Sequence, residues 1–183
     1  VKSYIKKKYN KPGNVYLGLV QRLDRPVGGI MVFARSSKAA SRLTSMMKEH
    51  DFEKKYMLVC NGIFEKKNGT FKDMLLKLDD GNTIVSPKGK ESILDYEVLK
   101  EDKSRNISLV SVDLKTGRHH QIRVQFSSRG HSLLGDQRYG VVDNKQIALW
   151  AYRLSFVHPV KKEKMEFSFL PPKNSYGFSY FDY

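Results

Sequence analysis

The sequence predicts an α+β domain built on a mostly antiparallel sheet flanked by a few helices. Strand-length segments, several alternating apolar with polar residues, fill the middle and end of the chain. Only two stretches repeat apolar residues at helical spacing, and strands do not alternate with helices as a parallel sheet demands. A length of 183 residues suits one domain, with enough chain to bury a core without disulfide or metal staples. Neither an internal repeat nor a Pro/Gly/Ser-rich linker divides it, so residues 1–183 read as a single domain.

Residues 1–18 form a basic, irregular start in which Pro12-Gly13 marks a turn. The apolar run at residues 28–34 reads as a buried strand. Ser36 or Ser37 can then cap a helix with Ala40, Leu43 and Met47 on its core face, and with Lys48 and His50 favourably placed near its C-terminus. Strands follow at residues 55–64, 70–77, 83–86, 94–99 and 107–114. In the last, Val110, Val112 and Leu114 alternate with Ser111 and Asp113, giving one buried and one wet face. Residues 118–129 fit a short helix with Ile122 and Phe126 on one side and Gly130 as its stop. Residues 148–157 and 164–170 form a hairpin around His158-Pro159, ended by Pro171-Pro172. The aromatic tail at residues 171–183 docks on the domain's own surface or on a neighbouring copy, or offers rings to RNA bases.

A net charge of +14, from 33 Lys plus Arg against 19 Asp plus Glu, makes polyanions the natural partners. The Lys runs at residues 6–8, 54–55, 66–67 and 161–162 are scattered, and each alone reads equally as a solvated surface. The one cysteine, Cys60, lies in the apolar stretch Tyr56-Met57-Leu58-Val59-Cys60 and reads as a buried structural thiol in a reducing compartment. With neither a signal peptide nor an apolar span of membrane length in this sequence, the expectation is a cytoplasmic protein without membrane association. His119-His120 and His131 do not make a metal site, because adjacent helical histidines face different ways and no carboxylate or cysteine cluster completes a shell. Gly28-Gly29 lacks the continuation of a phosphate-cradling loop.

The segment Arg22-Leu23-Asp24-Arg25-Pro26 sets one carboxylate between two guanidinium groups, directly before the apolar run. An acid so placed stays ionised in a tight turn at the mouth of a sheet, as a nucleophilic or proton-abstracting carboxylate requires. Alone, the pentapeptide equally suits a surface ion pair worth about 1 kcal/mol or less. A second segment, Leu114-Lys115-Thr116-Gly117-Arg118-His119-His120-Gln121-Ile122-Arg123, changes the balance. It is followed by Gly130-His131 and by Gly135-Asp136-Gln137-Arg138-Tyr139-Gly140. In this order the segments resemble the RluA-type family of RNA pseudouridine synthases, whose usual forms are HRLDRxTSG, TGRTHQIR and GHPIxGDxxYG. The resemblance spans about residues 19–169.

The resemblance implies the pseudouridine synthase catalytic fold, a bent mixed sheet in one catalytic domain, here without an S4-type RNA-binding module and without the family's opening strands. It implies conversion of specific uridines to pseudouridine in structured RNA, with ribosomal RNA favoured over transfer RNA and with a base-flipping step. Neither a cofactor nor a metal is implied, and the expected state is a monomer. Asp24 matches the catalytic aspartate, which either attacks ribose C1′ or removes the C2′ proton. Arg123 matches the arginine that pairs with it and keeps it charged in a dry pocket. Tyr56 matches the tyrosine that stacks on the target base, and Leu149 matches an apolar wall of the pocket. Arg22 matches a position that can fill the gap left by the flipped base. Arg25, Arg118, His119 and Arg138 are candidates for phosphate or loop contacts. Four departures stand out: Gln21 for His, Val27-Gly28-Gly29 for Thr-Ser-Gly, His119 for Thr and Trp150 for His. They bear on substrate choice more than on chemistry. The competing readings are an inactive RNA-binding module of the same fold and a protein-interaction domain whose charge is incidental.

Overall fold

The computed structural model describes residues 1–49 and 51–183; His50 and the side chain of Lys48, expected at a helix end, lie outside the description. In chain order the elements are α1 (Lys2–Lys8), β1 (Gly18–Leu19), β2 (Gly28–Gly29), β3 (Phe33–Ala34), α2 (Ser37–Lys48), β4 (Phe52–Asn61), β5 (Asn68–Lys77) and β6 (Thr83–Val85). There follow β7 (Lys90–Asp102), β8 (Ile107–Leu114), α3 (Gln121–Ser127), β9 (Leu149–Val157), β10 (Lys164–Ser168) and a 3-10 turn at Phe178–Tyr180. The main sheet runs β10-β9-β4-β8-β7-β5-β6. Every pair in that order is antiparallel, while β2 joins β9 in parallel and makes the sheet mixed.

β4 lies inside this order between β9 and β8, and its successive side chains feed two cores. Leu58 and Cys60 join Leu94, Val110, Ile122, Phe126 and Leu149 beneath α3. Met57 and Val59 join Leu109, Ala148 and Phe178 on the opposite face. Burial on both faces is why residues 56–60 read as an unbroken apolar run rather than an alternating one. Burial raises the Cys60 thiol far above its usual range, which keeps it a packing group. The C-terminal tail docks on the chain's own surface: Phe178 is buried in the second core, with Phe181 and Tyr183 packed against it. No helix of the described residues is long and apolar enough to cross a membrane.

Several expected elements move. Residues 1–18 are not irregular throughout, since α1 buries Ile5 and ends in Lys6, Lys7 and Lys8, which favour the negative end of the helix dipole. One buried apolar side chain leaves no periodicity to read. Residues 28–34 are not one strand but two, β2 in the main sheet and β3 paired with β1. Gly29, at φ 125, bends the chain between them. β4 runs three residues earlier than residues 55–64, stopping before Gly62 at φ 88. β7 is longer than residues 94–99 and carries a bulge between Val98 and Lys100. α2 is capped by Ser36, whose hydroxyl accepts from Ala39 N at 3.2 Å. α3 begins only at Gln121 rather than at 118, because the Gln121 amide oxygen captures Arg118 N at 3.0 Å and Thr116 Oγ1 at 2.8 Å. That folds residues 116–120 into a tight loop.

Candidate active site

Asp24 stands on a turn pinned from both flanks. Its carbonyl accepts from Val27 N at 2.9 Å, closing the turn through Arg25-Pro26. Beyond the turn, β2 pairs with Trp150 and Ala151 of β9. Gln21 Nε2 donates to Ile30 O at 3.3 Å, so the residue standing where the motif usually has histidine braces the loop. Gly28 lies under the Trp150 indole, and a Cβ there would collide with its six-membered ring. Trp150 Nε1 in turn donates to Phe169 O at 2.8 Å. Two departures from the motif, glycine for serine and tryptophan for histidine, are therefore one packing exchange.

α3 brings Arg123 to this turn, with Arg123 Nη1 donating to Asp24 Oδ2 at 3.3 Å. The pairing differs from the expected one in its main partner. The two-pronged grip goes to Asp136, where Nε reaches Oδ2 at 2.9 Å and Nη2 reaches Oδ1 at 2.6 Å. Asp136 Oδ1 also accepts from Arg138 N at 3.0 Å and Tyr139 N at 3.1 Å. Burial alone would raise the Asp136 carboxyl, but the bonds and charge of Arg123 and the two backbone donors hold it below the usual carboxylate range. Burial opposes the charge on Arg123, and Asp136 with Asp24 more than offsets it. The Arg123 guanidinium also lies 5.1 Å from the Tyr139 ring centroid.

His120 completes the surroundings of the carboxylate. Its Nε2 lies 3.7 Å from Asp24 Oδ2 and its Nδ1 lies 2.7 Å from the Tyr139 hydroxyl. Burial pushes its imidazole down to about 4, against the pull of Asp24, so it is neutral at pH 7. Tyr56 reaches the same cleft from β4, where a register shift between Lys55 and Tyr56 re-aims the strand toward β9. Burial, and then the charge of Asp24, push the Tyr56 phenol up to about 12, so it keeps its proton at neutral pH.

Eight of the nine residues singled out from sequence line one cleft of about 680 Å³: Asp24, Tyr56 and Arg123 with Arg22, Arg25, Arg118, His119 and Leu149. Leu149 is buried in its wall. Arg22 and Arg25 are exposed beside Asp24, and Arg118 is exposed with its Nε donating to Glu91 O at 3.0 Å. His119 is exposed at the rim, stacked on His120 at 3.7 Å, and burial lowers its pKa. Lys54 and Lys77 also line the cleft. A second cavity of about 590 Å³ shares Asp24, Arg25, His120 and Arg123 with the first and adds Arg138 and Lys145. Among the described residues no cluster of His, Cys, Asp and Glu is disposed to hold a metal; His131 instead stacks on Phe64 at 3.9 Å, away from the cleft.

Asp136, Tyr139 and His120 carry no role in the sequence reading, although all three lie within its motifs. Their spacing was visible; that Asp136 and Tyr139 turn inward to Arg123 and His120 depends on a loop closure no periodicity encodes.

The family model described as RNA pseudouridylate synthase matches residues 2–128. An uncharacterized RNA pseudouridine synthase of Aquifex aeolicus is 36% identical over 169 residues, covering 85% of this chain and 54% of the relative. The ribosomal large subunit pseudouridine synthase D of Haemophilus influenzae is 33% identical over 167 residues, covering 81% and 51%. The solved structure of human RNA pseudouridylate synthase domain containing 1 superposes with a TM-score of 0.77 at 24% identity, covering 92% of this chain and 72% of that one. The chain spans about half the length of the curated relatives it matches.

Proposed function

Because the chain belongs to the RluA-type RNA pseudouridine synthase family, we propose that it converts specific uridines of structured RNA to pseudouridine, with Asp24 acting at the ribose. The observation that carries this reading is one ionisable carboxylate, tethered by Arg123 at 3.3 Å, on the wall of a cleft that Tyr56 and Leu149 also line. Asp24 either bonds to C1′ or takes the C2′ proton; in both routes the C1′–N1 bond breaks and uracil is held against Tyr56 and Leu149. The base turns and C5 bonds to C1′ as the Asp24–C1′ ester breaks, or as Asp24 returns the proton to C2′; C5 then releases its hydrogen and N1 gains one. The balance needs neither a redox partner nor an energy source.

A base inside a paired segment must first leave its stack, at a cost of a few kcal/mol. Arg22, exposed beside Asp24, is the side chain we assign to the vacated space. Arg25, Arg118, Arg138 and Lys145 hold backbone phosphates around the two cavities. Ribosomal RNA is favoured over transfer RNA because relatives named ribosomal large subunit pseudouridine synthase C and D match the chain at 31% and 33% identity. The protein is proposed to work as a cytoplasmic monomer without a cofactor. The test is release of tritium from C5-labelled ribosomal RNA. The wild type releases it and Asp24→Ala does not; release that persists in Asp24→Ala rejects the role given to Asp24.

A further inference from the structure

The Asp24 carboxylate is held at one oxygen only. Arg123 Nη1 and His120 Nε2 both address Oδ2, at 3.3 and 3.7 Å, and among the described residues no side chain bonds to Oδ1. Whether His120 attracts or repels that oxygen depends on which ring nitrogen carries the proton. A lone pair on Nε2 would face a negative charge, whereas an N–H would face it with its positive end.

The answer lies on the other side of the ring. The Tyr139 hydroxyl is 2.9 Å from Thr83 N, a backbone group that can only donate, so the phenol oxygen is an acceptor there. Its own proton remains available to His120 Nδ1 at 2.7 Å. The backbone at His120 is left-handed, at φ 52, a conformation unfavourable outside glycine. It aims the ring between Asp24 and Tyr139. Asp136, three residues before Tyr139, grips Arg123, so one loop sets both groups that face Oδ2.

We infer that Tyr139 fixes His120 as the Nε2–H tautomer, a positioning group whose N–H faces Oδ2 of Asp24 and leaves Oδ1 to the reaction. The inference rests on the role proposed for Asp24. A neutral N–H dipole 3.7 Å from Oδ2 favours one orientation of the carboxylate without neutralising it. An imidazolium at the same place would pair with Asp24 and blunt it as a nucleophile or base. Burial, with Arg123 and Arg138 nearby, disfavours that charged form.

Nitrogen-15 NMR of histidine-labelled protein at pH 7 tests the inference. The expected His120 pattern is a protonated Nε2 and an unprotonated Nδ1. In Tyr139→Phe the two tautomers become mixed, and kcat on uridine-containing RNA falls about 10–100-fold with KM within about twofold. A protonated Nδ1 in the wild type overturns the inference, and so does a Tyr139→Phe protein that keeps the tautomer or the wild-type kcat. Should Tyr139→Phe not fold, the wild-type spectrum alone decides the tautomer. Absence of turnover by the wild type would reject the proposed function, with the spectrum still deciding the state of His120.

Discussion

Arg123 bonds two carboxylates, and the two are built differently. Asp136 is fully enclosed, with 0% of its side chain exposed, and both of its oxygens are occupied by donors from Arg123, Arg138 and Tyr139. Asp24 keeps 28% of its side chain exposed, takes one Arg123 bond, and stands on a turn held by strands of only two residues. A buried acid with both oxygens bonded is a structural member, since any reaction at it would first have to break those bonds. The half-open acid is the one with capacity to spare. Under the proposed function, two acids on one guanidinium divide the work, Asp136 fixing where the charge lies and Asp24 using it.

Removing the shared cation should give the largest effect. Arg123→Leu leaves Asp136 buried without its partner, and stability should fall by about 3–5 kcal/mol in denaturant unfolding at pH 7. Part of the loss should return in acid, as Asp136 takes up a proton. Asp136→Asn comes next, at about 2–3 kcal/mol, because the replacement keeps the shape but loses charge-assisted bonds. The two sites also separate by pH. Asp136 is held below its unfolded value, so its stabilisation is complete above about pH 4 and fades as the folded carboxyl titrates. His120 is depressed from about 6.5 in the unfolded chain to about 4, so the stability it lends is complete above about pH 6.5 and drains between those values. Wild-type stability should therefore decline in two acid steps. His120→Asn, which suits a left-handed backbone, should shrink the first, and Asp136→Asn should shrink the second. A single step shared by both variants would contradict the division.

Much of this site was legible in the chain. Asp24, Tyr56 and Arg123 stand 32 and 67 residues apart in sequence, yet motif order alone brought them to one cleft. What could not be read was which neighbour each side chain prefers. Arg123 was expected to grip Asp24, but the deeper Asp136 offers a drier, better-aligned pair and takes the fork. The departures at Gly28 and Trp150 looked independent, because their cause is the parallel register that sets one over the other. Gly28→Ser should accordingly cost about 1–3 kcal/mol by overpacking. Adding Trp150→His should recover most of it, a coupling that a double-mutant cycle measures. Strict additivity would mean that the indole does not occupy the glycine's space.

The smallest stability changes should come from the exposed side of the comparison, and there they are the informative ones. Asp24→Asn retains the shape of the turn and loses one exposed-side ion pair, so unfolding should shift by about 1 kcal/mol or less while tritium release disappears. Arg25→Ala removes an exposed cation for which no bond is seen among the described residues, and stability should move by no more than about 0.5 kcal/mol. RNA affinity is where Arg25 should register. Losing one phosphate contact lowers the slope of log affinity against log salt by about 1, with affinity weakened alike across RNA sequences. An Arg25→Ala protein that unfolds early but binds RNA with the wild-type salt slope would reverse the assignment, making the Asp24 turn the structural half of the pair. The opposite result leaves Asp136 as the anchor and the open turn as the part that meets RNA.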